Sequence, residues 1–258
     1  MAFTYSPRIV AFLDILGFSE LVTRSVAEPA VFATVINSLA IPQAYGFKWD
    51  DAAFSSDVLQ KIDVEIRPVV ADMMQKSRER NRLTAFSDCV AISSPADADG
   101  ASAVLQQIKG ITGNLLMLGV LVRGGIAVGN LFHESGIIVG PALIEAYKLE
   151  QQVAHYPRVL VSPAVLDVLR NDNVRDNSRE FIRDVDGMVF VDVLGLNAAS
   201  HTPRQLSLLG QIRKQLQPHA DRASADRPGV ASKYAWFLTY LDRVVDRARG
   251  ALNEPEKM

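Results

Sequence analysis

The sequence predicts an α+β domain built on a ferredoxin-like sheet with helical additions. Three observations lead there. Arg8 to Leu13 is short, β-prone and almost wholly apolar, the pattern of a central strand covered on both faces. Strand and helix patterns then follow in the order β-α-α-α-β-β-α-β-α-β-α-β-β. After Asn197 the character changes to two Arg-rich amphipathic helices, Thr202 to Leu216 and Lys233 to Leu252, joined by a polar stretch from Pro218 to Gly229. The expected organisation is a main domain over residues 1–197. A helical extension over 198–258 packs on it or on a dimer partner.

The elements follow from local signals. Asp14 ends the first strand, Gly17 permits a sharp change of direction, and Ser19 is placed to cap a helix through about Val26. Pro29 restarts a helical pattern to about Leu39. Ile41 to Ser56 holds Pro42, Gly46, Tyr45, Phe47 and Trp49 and reads as a loop, its aromatics either pinned to the core or offered to a nucleobase. Asp57 to Arg80 is helical in pattern, kinked at Pro68. Leu83 to Ser87 and Cys89 to Ser93 form a hairpin with Ser87-Asp88 at its turn. Asp97 opens a helix to about Leu118, and Leu121 to Val128 is a strand containing Arg123-Gly124-Gly125. Gly129 to Gly136 reads as a loop, Val139 to Ala154 as a helix, and Arg158 to Val161 as a short strand. Ser162-Pro163 leads into a helix to Leu169, residues 171–179 are loop-like, and Glu180 to Leu194 is a hairpin turning at Val185-Asp186-Gly187.

Composition excludes several function classes. Hydrophobic residues make up 48% and charged residues 22% of the 258 residues, as in ordinary globular domains. The one cysteine, Cys89, excludes an internal disulfide framework and fits a reducing compartment. A net charge of −2 argues against nucleic-acid binding. The N-terminus lacks a basic leader, and the longest apolar stretch, Leu115 to Val122, is too short for a membrane span. A cytoplasmic protein is expected.

A carboxylate ending a buried strand is costly unless it is capped, paired or metal-bound. Taken singly, Asp14 reads as a helix cap and Asp88 as a turn residue. Lys148 lies three residues after Glu145, the spacing of a helical ion pair. Arg123 is either a strand residue or part of a site, Arg183 reads as a solvated charge, and His133 reads as an exposed loop histidine. No His/Cys cluster has zinc spacing, and Gly124-Gly125 lies mid-strand, unlike a phosphate-cradling loop.

Five segments together give these residues another weight. Phe12-Leu13-Asp14-Ile15-Leu16-Gly17-Phe18-Ser19 resembles the strand-turn-helix opening of class III nucleotidyl cyclases. Phe86 to Ser93 resembles their metal-binding hairpin, Val122 to Gly129 the strand after it, Gly140 to Glu150 the helix that carries transition-state residues, and Val159 to Ser162 the next strand. The order agrees over about residues 8 to 195. The resemblance implies a cyclase catalytic domain with inserted N-terminal helices and added C-terminal ones. It further implies two divalent ions, Mn²⁺ or Mg²⁺, held by Asp14 and Asp88 with the Ile15 carbonyl as an extra ligand. Glu145 and Lys148 become the catalytic candidates, and Phe18, Tyr45, Thr84, Arg123, Ile137 and Arg183 the substrate-binding ones. The expected partners are a nucleoside triphosphate and a second copy of the chain, with active sites shared in a homodimer.

Departures from the pattern bear on the substrate. Purine-reading cyclases place a lysine or glutamate where this chain has Thr84, and a polar residue where it has Ile137. Ile144 stands at the position of their transition-state asparagine and Lys148 at that of their arginine. The segment Gly-Pro-Ala-Leu-Ile-Glu-Ala-Tyr-Lys-Leu-Glu, followed by Tyr156-Pro157-Arg158, resembles the bacterial pyrimidine cyclases of Pycsar anti-phage systems. In those systems cyclic UMP or cyclic CMP is read by a separate effector. The resemblance favours UTP; the residues leave UTP and CTP open. A purine cyclase and a catalytically dead nucleotide sensor are the alternative readings.

Overall fold

The computed structural model describes residues 3–44, 80–171, 177–198 and 200–253. The described elements are β1 (Ser6–Leu16), α1 (Phe18–Ala27), α2 (Pro29–Ala44), β2 (Arg82–Phe86), β3 (Cys89–Pro95), α3 (Ala98–Leu116), β4 (Leu121–Glu134) and β5 (Ile137–Val139). They continue with α4 (Pro141–Lys148), a π-helical turn (Leu149–Val153), β6 (Val159–Val161), α5 (Pro163–Arg170), β7 (Phe181–Arg183), β8 (Val189–Val191), α6 (Pro203–Asp226) and α7 (Pro228–Asn253). The strands form one mixed sheet in the order β2-β3-β1-β4-β6-β8-β7, with β5 paired to β4. The expected α+β sheet flanked by N- and C-terminal helices is present. The expected kinked helix over 57–80 lies outside the described residues apart from its last residue.

The central position of β1 follows from its sequence. Ile9, Ala11, Leu13 and Ile15 point into a core shared with α1, α2, α3 and α5, while Val10 packs on the other face against α4 through Ala127, Leu131, Ala142 and Ala146. Both neighbours, β3 and β4, run antiparallel to β1. A third cluster joins the edge strands β6, β7 and β8 to the C-terminal helices through Leu160, Ile182, Phe190, Leu216, Phe237 and Leu241.

Several expectations are corrected. β1 does not stop at Asp14, because Ile15 and Leu16 still pair with Val122 and Leu121 of β4. The chain must then turn at once, and Gly17, in the left-handed region at φ 77°, both turns it and caps α1; Ser19 falls inside the first helical turn. α2 continues past Leu39 to Ala44. Gly129 to Glu134 is not a loop. It extends β4 in register with the start of β1 and with β5, and only Ser135-Gly136, at φ 51° and 74°, makes the turn. The helix expected from Val139 begins at Pro141 and changes to π-helical winding at Leu149. Pro218 does not end α6. Buried Leu209, Ile212, Leu216 and Ala223 lie on both sides of it, and their burial outweighs the one lost backbone bond.

Candidate active site

The site is built where β1, β3 and β4 lie side by side. Asp14 stands opposite Cys89 on β3 and Arg123 on β4. Ser87, at φ 55°, turns the β2–β3 hairpin, and the Ile15 backbone N–H donates to the Asp88 carbonyl at 2.8 Å. The hairpin tip is thereby fastened beside Asp14. Cys89 registers the result: its thiol is pushed up to about 11, first by burial and then by Asp88, Asp14 and Glu150. Three carboxylates thus act on one point, and Cys89 stays a thiol at neutral pH.

Arg123 is the cation of this cluster. Its Nε donates to Asp14 Oδ2 at 2.8 Å and lies 2.6 Å from Glu150 Oε1. Glu150 is wholly buried, and beside Arg123 its carboxylate is met by the Gln151 side chain. Burial raises its pKa most, Arg123 opposes that, and Asp14 adds to it. Gly125 explains the placement. A Cβ there would lie 2.4 Å from the Ala146 carbonyl oxygen and 2.6 Å from Leu149 Cβ, so α4 and the π turn rest directly on β4. The π turn, a winding common at functional sites, carries Glu150 inward.

Thr84 heads a second network on β2. Arg8 Nε donates to Ser93 Oγ at 2.9 Å, Ser93 Oγ lies 2.8 Å from His133 Nδ1, and His133 Nε2 lies 2.9 Å from Thr84 Oγ1. His133, expected in an exposed loop, is instead 4% exposed on β4. Burial, Arg8 and Arg82 push its pKa down to about 3, so the ring is neutral. Arg8 can only donate, and Ser93 is fully buried with one proton to place. The arrangement that satisfies this proton has Ser93 donating to Nδ1 and Nε2–H donating to Thr84. The Thr84 hydroxyl is then left as an outward donor.

The other expected site residues are less gathered. Phe18 opens α1 and packs partly on the core. Ile137 is 59% exposed at the start of β5. Ile144, Glu145, Tyr147 and Lys148 lie on the outward face of α4, and Glu145 and Lys148 form no ion pair. Arg183 Nη1 donates to the Gly187 carbonyl within its own hairpin at 2.7 Å. Tyr45 and the aromatic loop lie outside the described residues. Sequence reasoning missed Glu150, Ser93 and Arg8. Glu150 had a signal: Ala142, Ala146 and Glu150 recur every four residues, which puts a carboxylate on the buried face of the helix.

Among the described residues no group of three His, Cys, Asp or Glu side chains forms a ready cation cage. The donors nevertheless fit hard divalent cations. Asp14, on β1, and Asp88, at the neighbouring hairpin turn, offer carboxylate oxygens, and the guanidinium on Asp14 is a positive charge standing where a cation would be held.

A cleft beside the β1–α1 turn adds a cationic wall, lined by Leu16, Gly17, Glu20, Arg222, Arg227 and Lys233. Among the described residues no helix is long and apolar enough to cross a membrane.

No protein-family model and no curated protein matches the sequence. Among solved structures, the chain is similar to a class III adenylyl cyclase-like ATP-binding protein from Pseudomonas aeruginosa, at 14% identity and a TM-score of 0.34, over 64% of this chain and 35% of that one. It is also similar to an adenylate/guanylate cyclase/hydrolase from Silicibacter pomeroyi, at 18% identity and a TM-score of 0.37, over 72% of this chain and 96% of that one. At these values neither likeness reaches the chemistry of the site.

Proposed function

We propose that this chain is a nucleotidyl cyclase of the class III kind. It closes a nucleoside triphosphate to the 3′,5′-cyclic monophosphate with loss of pyrophosphate, and its substrate is a pyrimidine triphosphate, UTP ahead of CTP. The observation that carries the reading is that the β2–β3 turn holding Asp88 is fastened to Ile15, next to Asp14, with a cation already drawn to Asp14. When bound there, two divalent cations, Mn²⁺ or Mg²⁺, supply activation of the ribose 3′-hydroxyl and charge for the phosphates.

The chain's own residues supply the rest. Asp14 and Asp88 hold the cations, and the Ile15 carbonyl is a further candidate ligand. Arg222, Arg227 and Lys233, in a cleft by the β1–α1 turn that Glu20 also lines, offer cations for the triphosphate. Thr84, presented as a donor by His133, suits a carbonyl acceptor. Uracil carries a carbonyl at the ring position where cytosine carries an amino group, which favours UTP. The exposed apolar residues Phe86, Ile137, Val139, Ile144 and Tyr147 support a homodimer in which α4 of one copy brings Glu145 and Lys148 to the site of the other. The anti-phage role, with a separate effector reading the product, is supported by the resemblance alone.

The test is pyrophosphate release from each triphosphate with Mn²⁺, on wild type and on Asp88→Asn. Release from UTP is expected to fall by at least about 100-fold in the variant, consistent with loss of a metal ligand. Turnover of ATP or GTP instead would return the chain to the purine reading. Nucleotide binding with no release in wild type would make it a sensor.

A further inference from the structure

Arg123 stands between two carboxylates and serves one of them. Its Nε has a single hydrogen, directed to Asp14 Oδ2, yet Glu150 Oε1 is nearer, at 2.6 Å against 2.8 Å. Glu150 is 0% exposed, and beside the Arg123 ion pair it has the Gln151 side chain as a hydrogen-bond partner. A buried carboxylate of this kind is retained only against a compensating cation. Lys233 of α7 also acts on Glu150, but more weakly than Arg123. Gly125 gives the π turn room to bring Glu150 this close. A small rotation of the guanidinium would transfer its hydrogen bond from Asp14 to Glu150.

We infer that Glu150 is a positioning residue for the metal site: it takes Arg123 over when a divalent cation binds Asp14. Arg123 is thus a two-position counterion, shared between Asp14 and Glu150 as described and given over to Glu150 once a cation binds Asp14. Without Glu150, Arg123 stays on Asp14 and competes with the metal. The inference rests on the proposed role of Asp14 and holds whichever base the substrate carries.

The test is Mn²⁺ binding, read from the electron-paramagnetic-resonance signal of free Mn²⁺, for wild type, Glu150→Gln and the double variant Arg123→Gln/Glu150→Gln. Glu150→Gln is expected to weaken binding by about 10- to 100-fold, the range for residues that support metal ligands. The double variant, having lost the competing cation, is expected to recover to within about threefold of wild type, a reversal that a merely structural role for Glu150 would not give. Glu150→Gln binding like wild type, or a double variant no better than the single one, overturns the inference while leaving the metal site standing. Wild type that takes no Mn²⁺ overturns both.

A second measurement needs no variant to fold. The Arg123 Nε–H resonance of wild type is followed as Mg²⁺ is added. A shift that saturates with binding is expected, and a resonance unmoved by bound Mg²⁺ contradicts the transfer.

Discussion

At neutral pH His133 is an uncharged link between Ser93 and Thr84, held so by burial and by the neighbouring Arg8 and Arg82. Its pKa in the fold, about 3, lies below the ordinary 6.5. As pH falls through 6.5, the unfolded chain therefore takes up a proton that the folded chain refuses, and stability drops until the folded pKa is reached. Between pH 6.5 and 5 the loss is about 2 kcal/mol. Thermal melts across that window should show the drop in wild type. A His133→Leu variant should lack this part of the pH slope, although it starts lower by about 1–3 kcal/mol because Thr84 and Ser93 lose a partner. An unchanged slope in the variant would contradict the neutral-link account. In the sequence Asp14 and Asp88 read singly as a cap and a turn residue, and only the family resemblance joins them into one candidate site. His133 was not. It lies in a stretch bounded by Gly129 and Gly136 that reads as a loop, and pairing with β1 up to Leu131 and then with β5, where His133 faces Ile138, makes it a strand.

At the scale of elements, the seat of α4 on β4 decides the site. Gly125 is the contact point, so Gly125→Ala should push the helix and the π turn away from the strand, since the new methyl would sit 2.4 Å from a backbone oxygen. A loss of about 1–3 kcal/mol is expected by chemical denaturation. Glu150 should withdraw from Arg123, so metal affinity should fall as well. Wild-type stability in this variant would mean that the helix is not seated as described. The strand and helix cores were legible from periodicity, as was the β2–β3 hairpin. The seat was not, because two glycines in a strand announce a close approach without naming what approaches. The π winding was equally hidden, because the residues from Pro141 to Val153 read as one helix.

At the scale of the molecule, a polar joint fastens the C-terminal helices to the sheet. Asp192, buried, accepts hydrogen bonds from the backbone of Gly195, Leu196 and Asn197 and from Tyr240 Oη, at 2.9, 2.9, 2.7 and 2.5 Å. The Tyr240 hydroxyl in turn accepts from the Leu194 N–H at 3.0 Å. Arg158 adds a second joint, holding Asp184 and Asp186 while lying over the Tyr156 and Trp236 rings. Tyr240→Phe should cost about 1–3 kcal/mol, because it leaves buried Asp192 and the Leu194 N–H short of a partner. If the helices wall the triphosphate, the Michaelis constant should also rise. No change in either quantity would leave α6 and α7 as mere appendages. The sequence marked these helices as a separate unit through their Arg-rich polar faces. It did not reveal their packing, which depends on Phe190 and Ile182 arriving from a hairpin about 50 residues upstream of Tyr240.

The central claim is that the two aspartates serve triphosphate cyclisation. Its most direct measurement is mass-spectrometric identification of the products formed by the purified chain from an equimolar mixture of UTP, CTP, ATP and GTP with Mn²⁺. The expected result is 3′,5′-cyclic UMP as the main product, absent when Asp14 or Asp88 is replaced by Asn. No cyclic nucleotide from any of the four, or the same product at the same rate from the Asp14→Asn and Asp88→Asn variants, would contradict it.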